Sequence, residues 1–345
     1  MQRRITKAQR LLNDRGELND KGYATEMLLE YRREDIKARS YRIKEWDYYL
    51  VANDDHAVAL TVADNSYMGL LSVSILDFNN ARFKTTSIIK PFTFGKLRLP
   101  SSSKTGNVMY KDKRIHMEFL HENNTRRLKC SMKNFDKGKD FHCDITLYNE
   151  PKNSMVIATP FAEDSKAFYF NQKINCMTAK GTASIGGEEV RFNPVDSFGI
   201  LDWGRGVWTY RNTWYWGSAS GMVDGKSFGF NIGYGFGDTS AASENMLFYD
   251  GVAHKLQDVQ FHIPMNNAAG KFDYLKPWVF SSSDHRFEMT FTPILDRSDF
   301  TSIGVIASDQ HQVFGRFNGK AILDDGKVIN VQNFLGFAER VYNRW

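Results

Sequence analysis

The sequence predicts an all-β protein, and three observations carry that reading. From Tyr41 onward the chain breaks into short alternating or apolar runs, separated by turn residues at intervals of roughly ten to fifteen positions. Three of these breaks contain Gly-Gly or Asp-Gly, which accept the positive φ that a tight hairpin needs. Aromatic residues make up 14% of the chain, and rings favour strands and ring-lined interiors. At 345 residues the chain outgrows one ordinary core and suits two domains or one very large β structure.

Residues 1–40 stand apart as an N-terminal arm. In "GYATEMLLEYRREDIKARS", Met27, Leu28, Tyr31 and Ile36 recur near helical spacing among charges, which predicts one short helix. Its basic residues, from Met1 to Arg10 with Arg32, Arg33, Lys37 and Arg39, read as a solvated face rather than a nucleic-acid or lipid contact. "AVALTVADN" (57–65) and "YMGLLSVSIL" (67–76) then form a strand pair around Asp64-Asn65-Ser66. In "FHCDITLY" (141–148), Phe141, Cys143, Ile145 and Leu147 alternate with polar residues, as in a half-buried strand. Gly186-Gly187 in "ASIGGEEVRF" marks a hairpin. Near "RFNPVDSFG" (191–199) a charge-rich half gives way to a glycine-aromatic half, which divides the chain into barrel-like domains over 41–195 and 196–345. Asp224-Gly225 and Asp325-Gly326 mark two more hairpins, and "LGFAERVYNRW" (335–345) is the other stretch open to a helical reading.

Several function classes drop out. The 45 basic and 40 acidic residues leave a net charge of +5, a mixed surface that does not announce nucleic-acid binding. Three separated cysteines without a CxxC suit a reducing compartment. "MQRRITKAQRLLND" lacks the apolar core of a signal peptide, and no run approaches the roughly 18 apolar residues of a membrane span. A cytoplasmic protein without stable membrane insertion is therefore expected. The eight histidines form no HxH or HExxH, so no metal is expected. No nucleophile elbow or phosphate loop occurs, and "GYGFGD" has no helix after it, so no cofactor is implied.

The candidate site centres on "LDWGRGVWTYRNTWYWGSASG" (201–221), which holds four of the seven tryptophans. Trp208, Tyr210, Trp214 and Trp216 share one parity, as on one face of a strand, where rings form either core or a pocket wall. Between Gly204 and Gly206, Arg205 has room to stack on indoles or to clamp a carboxylate. Asp202 and Asp196 are the nearest acids. Beside tryptophans an acid is desolvated and keeps its proton nearer neutral pH, which suits a general acid. Paired to Arg205 it would be structural instead. In "RIKEWDYYLV" (42–51), Trp46 and Tyr48 face one way and Glu45, Asp47 and Tyr49 the other, which makes either a polar pocket rim or a charged strand edge. "SFGFNIGYGFG" (227–237) sets Phe228, Phe230, Ile232, Tyr234 and Phe236 opposite small residues. Its glycines mark a barrel bend or the close approach of a ligand or backbone.

These residues also carry a resemblance. Through "LLNDRGELNDKGYA" (11–24), "RIKEWDYY" (42–49) and the tryptophan-rich stretch, the whole chain resembles a bacterial family catalogued as a domain of unknown function, number 2804 in that series. More distantly, Asp202, Gly204 or Gly206, Trp214 and Trp216 are similar to a motif of the tocopherol cyclase and carotenoid hydratase group. That resemblance implies two lipocalin-like barrels and an aromatic cavity in which apolar alkenes are protonated, away from water and beside ring faces that stabilise positive charge. Arg205 departs from the motif, and a fixed cation there suits an anionic group on the ligand.

Three readings follow. The first is an enzyme of hydratase, cyclase or isomerase type acting on an apolar or amphipathic small molecule. In it Asp202 gives the proton, Arg205 orients the ligand, and Trp208, Tyr210, Trp214, Trp216, Trp46 and Tyr234 bind it. The second is a lipocalin-like carrier in which Asp202 only pairs with Arg205. The third is a carbohydrate-active protein, since tryptophan platforms flanked by acids also suit sugars.

Overall fold

Strands supply nearly all the regular structure of the computed structural model, which describes residues 2–266, 270–304 and 306–344. They build two curled half-barrel sheets in tandem, the all-β lipocalin-like architecture expected from the sequence. The main path of the first sheet runs Arg82–Pro91, Met68–Asp77, His56–Asp64, Ile43–Ala52, Phe198–Val207, Asp164–Ile185, Lys139–Tyr148, Thr125–Asp136, Ile115–Glu122, Val108–Lys111. The second runs Val252–Lys255, Met246–Tyr249, Lys226–Tyr234, Arg211–Val223, Val328–Arg344, Ile306–Ile322, Phe287–Ile303, Trp278–Ser282, Val259–His262. The chain passes from one sheet to the other between Val207 and Arg211.

The turn chemistry sets the hairpins. Gly186-Gly187, Asp224-Gly225 and Asp325-Gly326 each sit between paired antiparallel strands. Asp224 and Gly225 both adopt positive φ, as a two-residue turn requires. Phe141, Cys143, Ile145 and Leu147 are buried, while their neighbours are not.

Two expected helices do not form. In the arm, Gly22–Ala24 and Leu29–Glu30 are short strands, with single 3-10 turns at Arg33–Asp35 and Ser40–Arg42. The apolar residues Ile5, Leu11, Leu12, Leu29 and Tyr31 join the first core instead of lining one helical face. Gly22–Ala24 also pairs with Met155–Phe161, so tertiary burial and sheet bonding override the local spacing. Several of the arm's cations are ion-paired: Arg3 with Asp20, Arg10 with Asp14 and Asp35, Arg32 with Glu30, and Arg33 with Glu45. At the other end, "LGFAERVYNR" belongs to the strand Val328–Arg344, which is paired on both sides. Burial on both faces removes the alternation that marks a half-exposed strand. Trp345 lies outside the described residues.

The strand Phe198–Val207 is buried along its whole length. Leu201, Trp203 and Val207 belong to the first core, whereas Ile200 belongs to a separate cluster between the sheets. Arg205 points with Trp203 into the first interior and is fully buried. Its guanidinium lies 4.2 Å from the Trp203 ring, and its nitrogens donate to the carbonyls of Trp46 (2.7 Å), Gly204 (2.8 Å) and Pro100 (2.7 Å). Asp47 supplies the counter-charge at 3.0 Å, off the line of a good hydrogen bond. Burial pushes the Asp47 carboxyl up, and Arg205 pulls it part of the way back. The Pro100 loop folds into this interior, where Ser103 is buried and its carbonyl accepts from Arg126 at 2.8 Å.

Among the described residues no helix is long and apolar enough to cross a membrane, and no group of three or more His, Cys, Asp or Glu could hold a metal ion.

Removing one partner of a buried pair strands the other charge. Arg205→Met is expected to cost about 3–5 kcal/mol in urea unfolding, and adding Asp47→Asn should return part of that loss. Equal losses in the single and double variants would show that the pair is not what Arg205 stabilises.

Candidate functional site

The site lies in the seam where the two sheets face each other, and the strand period lays it out in three zones. Trp46, Tyr48 and Leu50 of one strand face the seam, as do Gly204, Asp202 and Ile200 opposite them. From the second sheet come Trp214, Trp216 and Ser218, with Glu339 and Phe337 opposite Trp216 and Ser218.

One end is a plug of rings. Trp46, Trp208, Trp214, Tyr169 and Phe236 interlock, with centroid separations from 4.8 to 6.2 Å. Gly204 is required beneath this plug: a Cβ there would sit 2.0 Å from the Trp46 ring.

The middle zone is polar and out of water. Asp202 Oδ1 pairs with Lys173 Nζ at 2.9 Å and accepts from Asn171 Nδ2 at 2.7 Å. The same ammonium lies 3.8 Å over the Trp216 ring. Trp216 Nε1 donates to Asn231 at 2.6 Å, and Asn231 in turn donates to Glu244. Glu339 accepts from Trp214 Nε1 at 3.0 Å and from Gln312 at 2.8 Å. Burial pushes both the Glu244 and Glu339 carboxyls up, against the pull of Lys173 and of their hydrogen-bond donors. This zone therefore sets two carboxyls that burial inclines to keep a proton beside the Asp202–Lys173 ion pair. Asn171 Oδ1 and Asn175 Oδ1 are buried acceptors without a donor among the described residues.

The far end opens to solvent through a pocket of about 320 Å³. Leu50, Ile200, Phe314 and Phe337 form its apolar floor, and Asn53, Asp54, Asp196 and Asn333 stand among its lining residues. Ile200 and Ser218 are each one same-face step from Asp202 and Trp216, and the Phe337 ring packs 4.7 Å from that of Trp216.

The structure brings Trp46, Asp202, Trp208, Trp214 and Trp216 to this seam. It sends Arg205 to the first interior, because residues 202 and 205 have opposite parity. Tyr210 is exposed in the connection between sheets, where the parity shared with Trp208 breaks. Tyr234 stacks on Tyr215 at 4.5 Å inside the second half-barrel, away from Trp214 and Trp216. Glycines 229 and 233 mark close approach: a Cβ at Gly229 would meet the Cys176 sulfur and one at Gly233 the Glu244 carboxyl. Sequence reading missed Lys173, Glu244 and Glu339. For Lys173 a signal existed, since "FYFNQKINCM" carries Asn171, Lys173 and Asn175 at every second position, among residues that are apolar apart from Gln172.

The chain belongs to the family described as Domain of unknown function (DUF2804), whose model matches residues 2–345. No curated protein sequence matches it. Among solved structures it is similar to a Nitrosomonas europaea protein assigned as AttH, with 14% identity over 90% of this chain and 96% of that one and a TM-score of 0.56. It is also similar to kievitone hydratase from Nectria haematococca, with 10% identity, 88% of each chain and a TM-score of 0.49. For CghA the values are 9%, 87% of each chain and 0.48. The first of these likenesses shows a shared fold.

Gly204→Ala is expected to destabilise the protein by about 3 kcal/mol in urea unfolding, by driving Trp46 off its site. An unchanged midpoint would mean that the ring moves freely. Glu339 yields a pH test. Its native carboxyl keeps a proton over a range in which the unfolded chain has released it. Stability from this group is full below the ordinary carboxylate range and is lost as pH rises through the raised native value. Glu339→Gln should therefore match the parent melting temperature near pH 4 and exceed it by about 1–3 °C at pH 8. A constant difference across that range would contradict the assignment.

Proposed function

We propose that the protein is an enzyme of hydratase, cyclase or isomerase type, acting on an apolar or amphipathic small molecule held in the seam. One observation carries the reading: Glu339, a buried carboxyl inclined to keep its proton, and Asp202, ion-paired to Lys173, lie just beyond the inner end of a pocket with an apolar floor. Hydration or isomerisation of a double bond needs one group to give a proton and another to take one. Here Glu339 gives it and Asp202 takes it, with Lys173 balancing whichever carboxyl is charged. Trp216 supplies a ring face and Asn171 a spare acceptor for a ligand hydroxyl. The ring plug seals the opposite end from water, which protects a reactive intermediate. Arg205 acts at a distance, by holding the Trp46 backbone and the Pro100 loop.

A carrier of the same ligand is the second reading, favoured by the engagement of Asp202 with Lys173 and Asn171. Native mass spectrometry of protein purified from its own host identifies what the seam retains. On that compound, Asp202→Asn and Glu339→Gln are each expected to keep binding and to lower turnover by about 10²–10⁴-fold. Binding without turnover in the parent protein establishes the carrier. Retention of a sugar, or of nothing, removes both readings.

A further inference from the structure

The two edge strands of the first sheet, Arg82–Pro91 and Val108–Lys111, border a groove that shares no lining residue with the seam pocket. Residues 81–114, which contain both, carry nine Lys or Arg against the single acid Asp112, a net +8 where the whole chain has +5. Lys90, Lys96, Arg98, Met109 and Tyr110 line the groove, which encloses about 560 Å³. Lys90 is tied to Asp112 at 2.6 Å, while Lys96 and Arg98 are exposed.

The loop at the end of the groove is rigidly built. Asp64 is fully buried, and its carboxylate accepts from Ser66 N (3.0 Å), Thr93 Oγ1 (2.8 Å), Gly95 N (2.9 Å) and Leu97 N (3.3 Å). The backbone amides of Phe92 and Phe94 donate to the Tyr67 and Ser66 carbonyls. Both phenylalanines are thereby held in the left-handed region, at φ 55° and 45°, a strained conformation for a bulky side chain. Core packing does not repay that strain, because the rings are 67% and 42% exposed. Ile89 and Met109 on the flanking strands are exposed by 62% and 61%.

We propose that this edge of the first half-barrel docks reversibly on an anionic lipid surface. Phe92 and Phe94 enter the headgroup–acyl boundary, Ile89 and Met109 widen the apolar contact, and Lys96 and Arg98 meet headgroup phosphates. Exposed aliphatic side chains favour lipid over nucleic acid, whose binding would use the charge and leave Ile89 and Met109 in water. The proposal is independent of what the seam does.

Vesicle co-sedimentation of the full chain tests it, with phosphatidylcholine alone against a mixture containing about 30% phosphatidylglycerol, at about 50 mM and then 500 mM NaCl. The protein is expected to pellet with the anionic vesicles only, and to be released by salt. Lys96→Glu with Arg98→Glu should weaken binding about tenfold or more. Phe92→Asn with Phe94→Asn should do the same while melting no lower than the parent, since Asn accepts the left-handed backbone. Three results would each overturn the proposal: no pelleting with anionic vesicles at low salt, undiminished binding by the Asn variant, or tighter binding to a duplex or single-stranded oligonucleotide than to the vesicles.

Discussion

A strand buried on both faces and charged on both must find a counter-charge twice. Phe198–Val207 meets that constraint through its two flanking partners. Ile43–Ala52 supplies Asp47 for Arg205 on one side, and Asp164–Ile185 supplies Lys173 for Asp202 on the other. Desolvation makes an unpaired ion at either place too costly to keep. Each pair therefore fixes the register of its ladder, because a slip by one residue would exchange the faces and put both charges among apolar neighbours. The fold and the candidate site rest on the same two contacts.

The seam combines features that a purely structural interface would avoid. Three carboxyls and one ammonium share a region where replacement by packed apolar groups is often neutral or stabilising. The charges are hydrogen-bonded to indoles and amides instead of being released to water. Directly beside them, Tyr48, Leu50, Ile200, Phe314 and Phe337 provide an ordinary apolar cluster that ends in an open pocket. Acids perturbed by burial next to a pocket with an apolar floor are what the proposed proton transfer rests on.

Much of this was legible in the sequence because it is local. The hairpins followed from Gly-Gly and Asp-Gly, and the opposed faces of Trp46/Tyr48 and Asp47/Tyr49 followed from strand parity. Parity stopped being informative at Val207, where the chain changes sheets, so Trp208 still reaches Trp214 in the ring plug while Tyr210 turns to solvent. The helical spacing of Met27, Leu28, Tyr31 and Ile36 was real, but short, and lost to burial against the first half-barrel. Glu244 and Glu339 were beyond reach for a different reason. Glu339 reaches the seam through pairing of its strand with the distant Trp216, Glu244 comes in on a loop held by Asn231, and nothing near either residue in the sequence marks its place there. The basic excess of residues 81–114 was visible in composition, but it was diluted by a nearly neutral whole-chain balance.

The order of strands in the first sheet has a consequence for synthesis. Ile43–Ala52 and Asp164–Ile185 do not pair with each other; each pairs with Phe198–Val207, which leaves the ribosome after both. Two meanders must wait, with their inner edges open, for a single late segment that inserts between them. Closure of this half therefore depends on contacts very far apart along the polypeptide, which slows the search and exposes template-like backbone in the interim. The nascent chain is most vulnerable to joining a neighbour during that interval, and a stop codon between Ile185 and Phe198 would leave it permanently in that state.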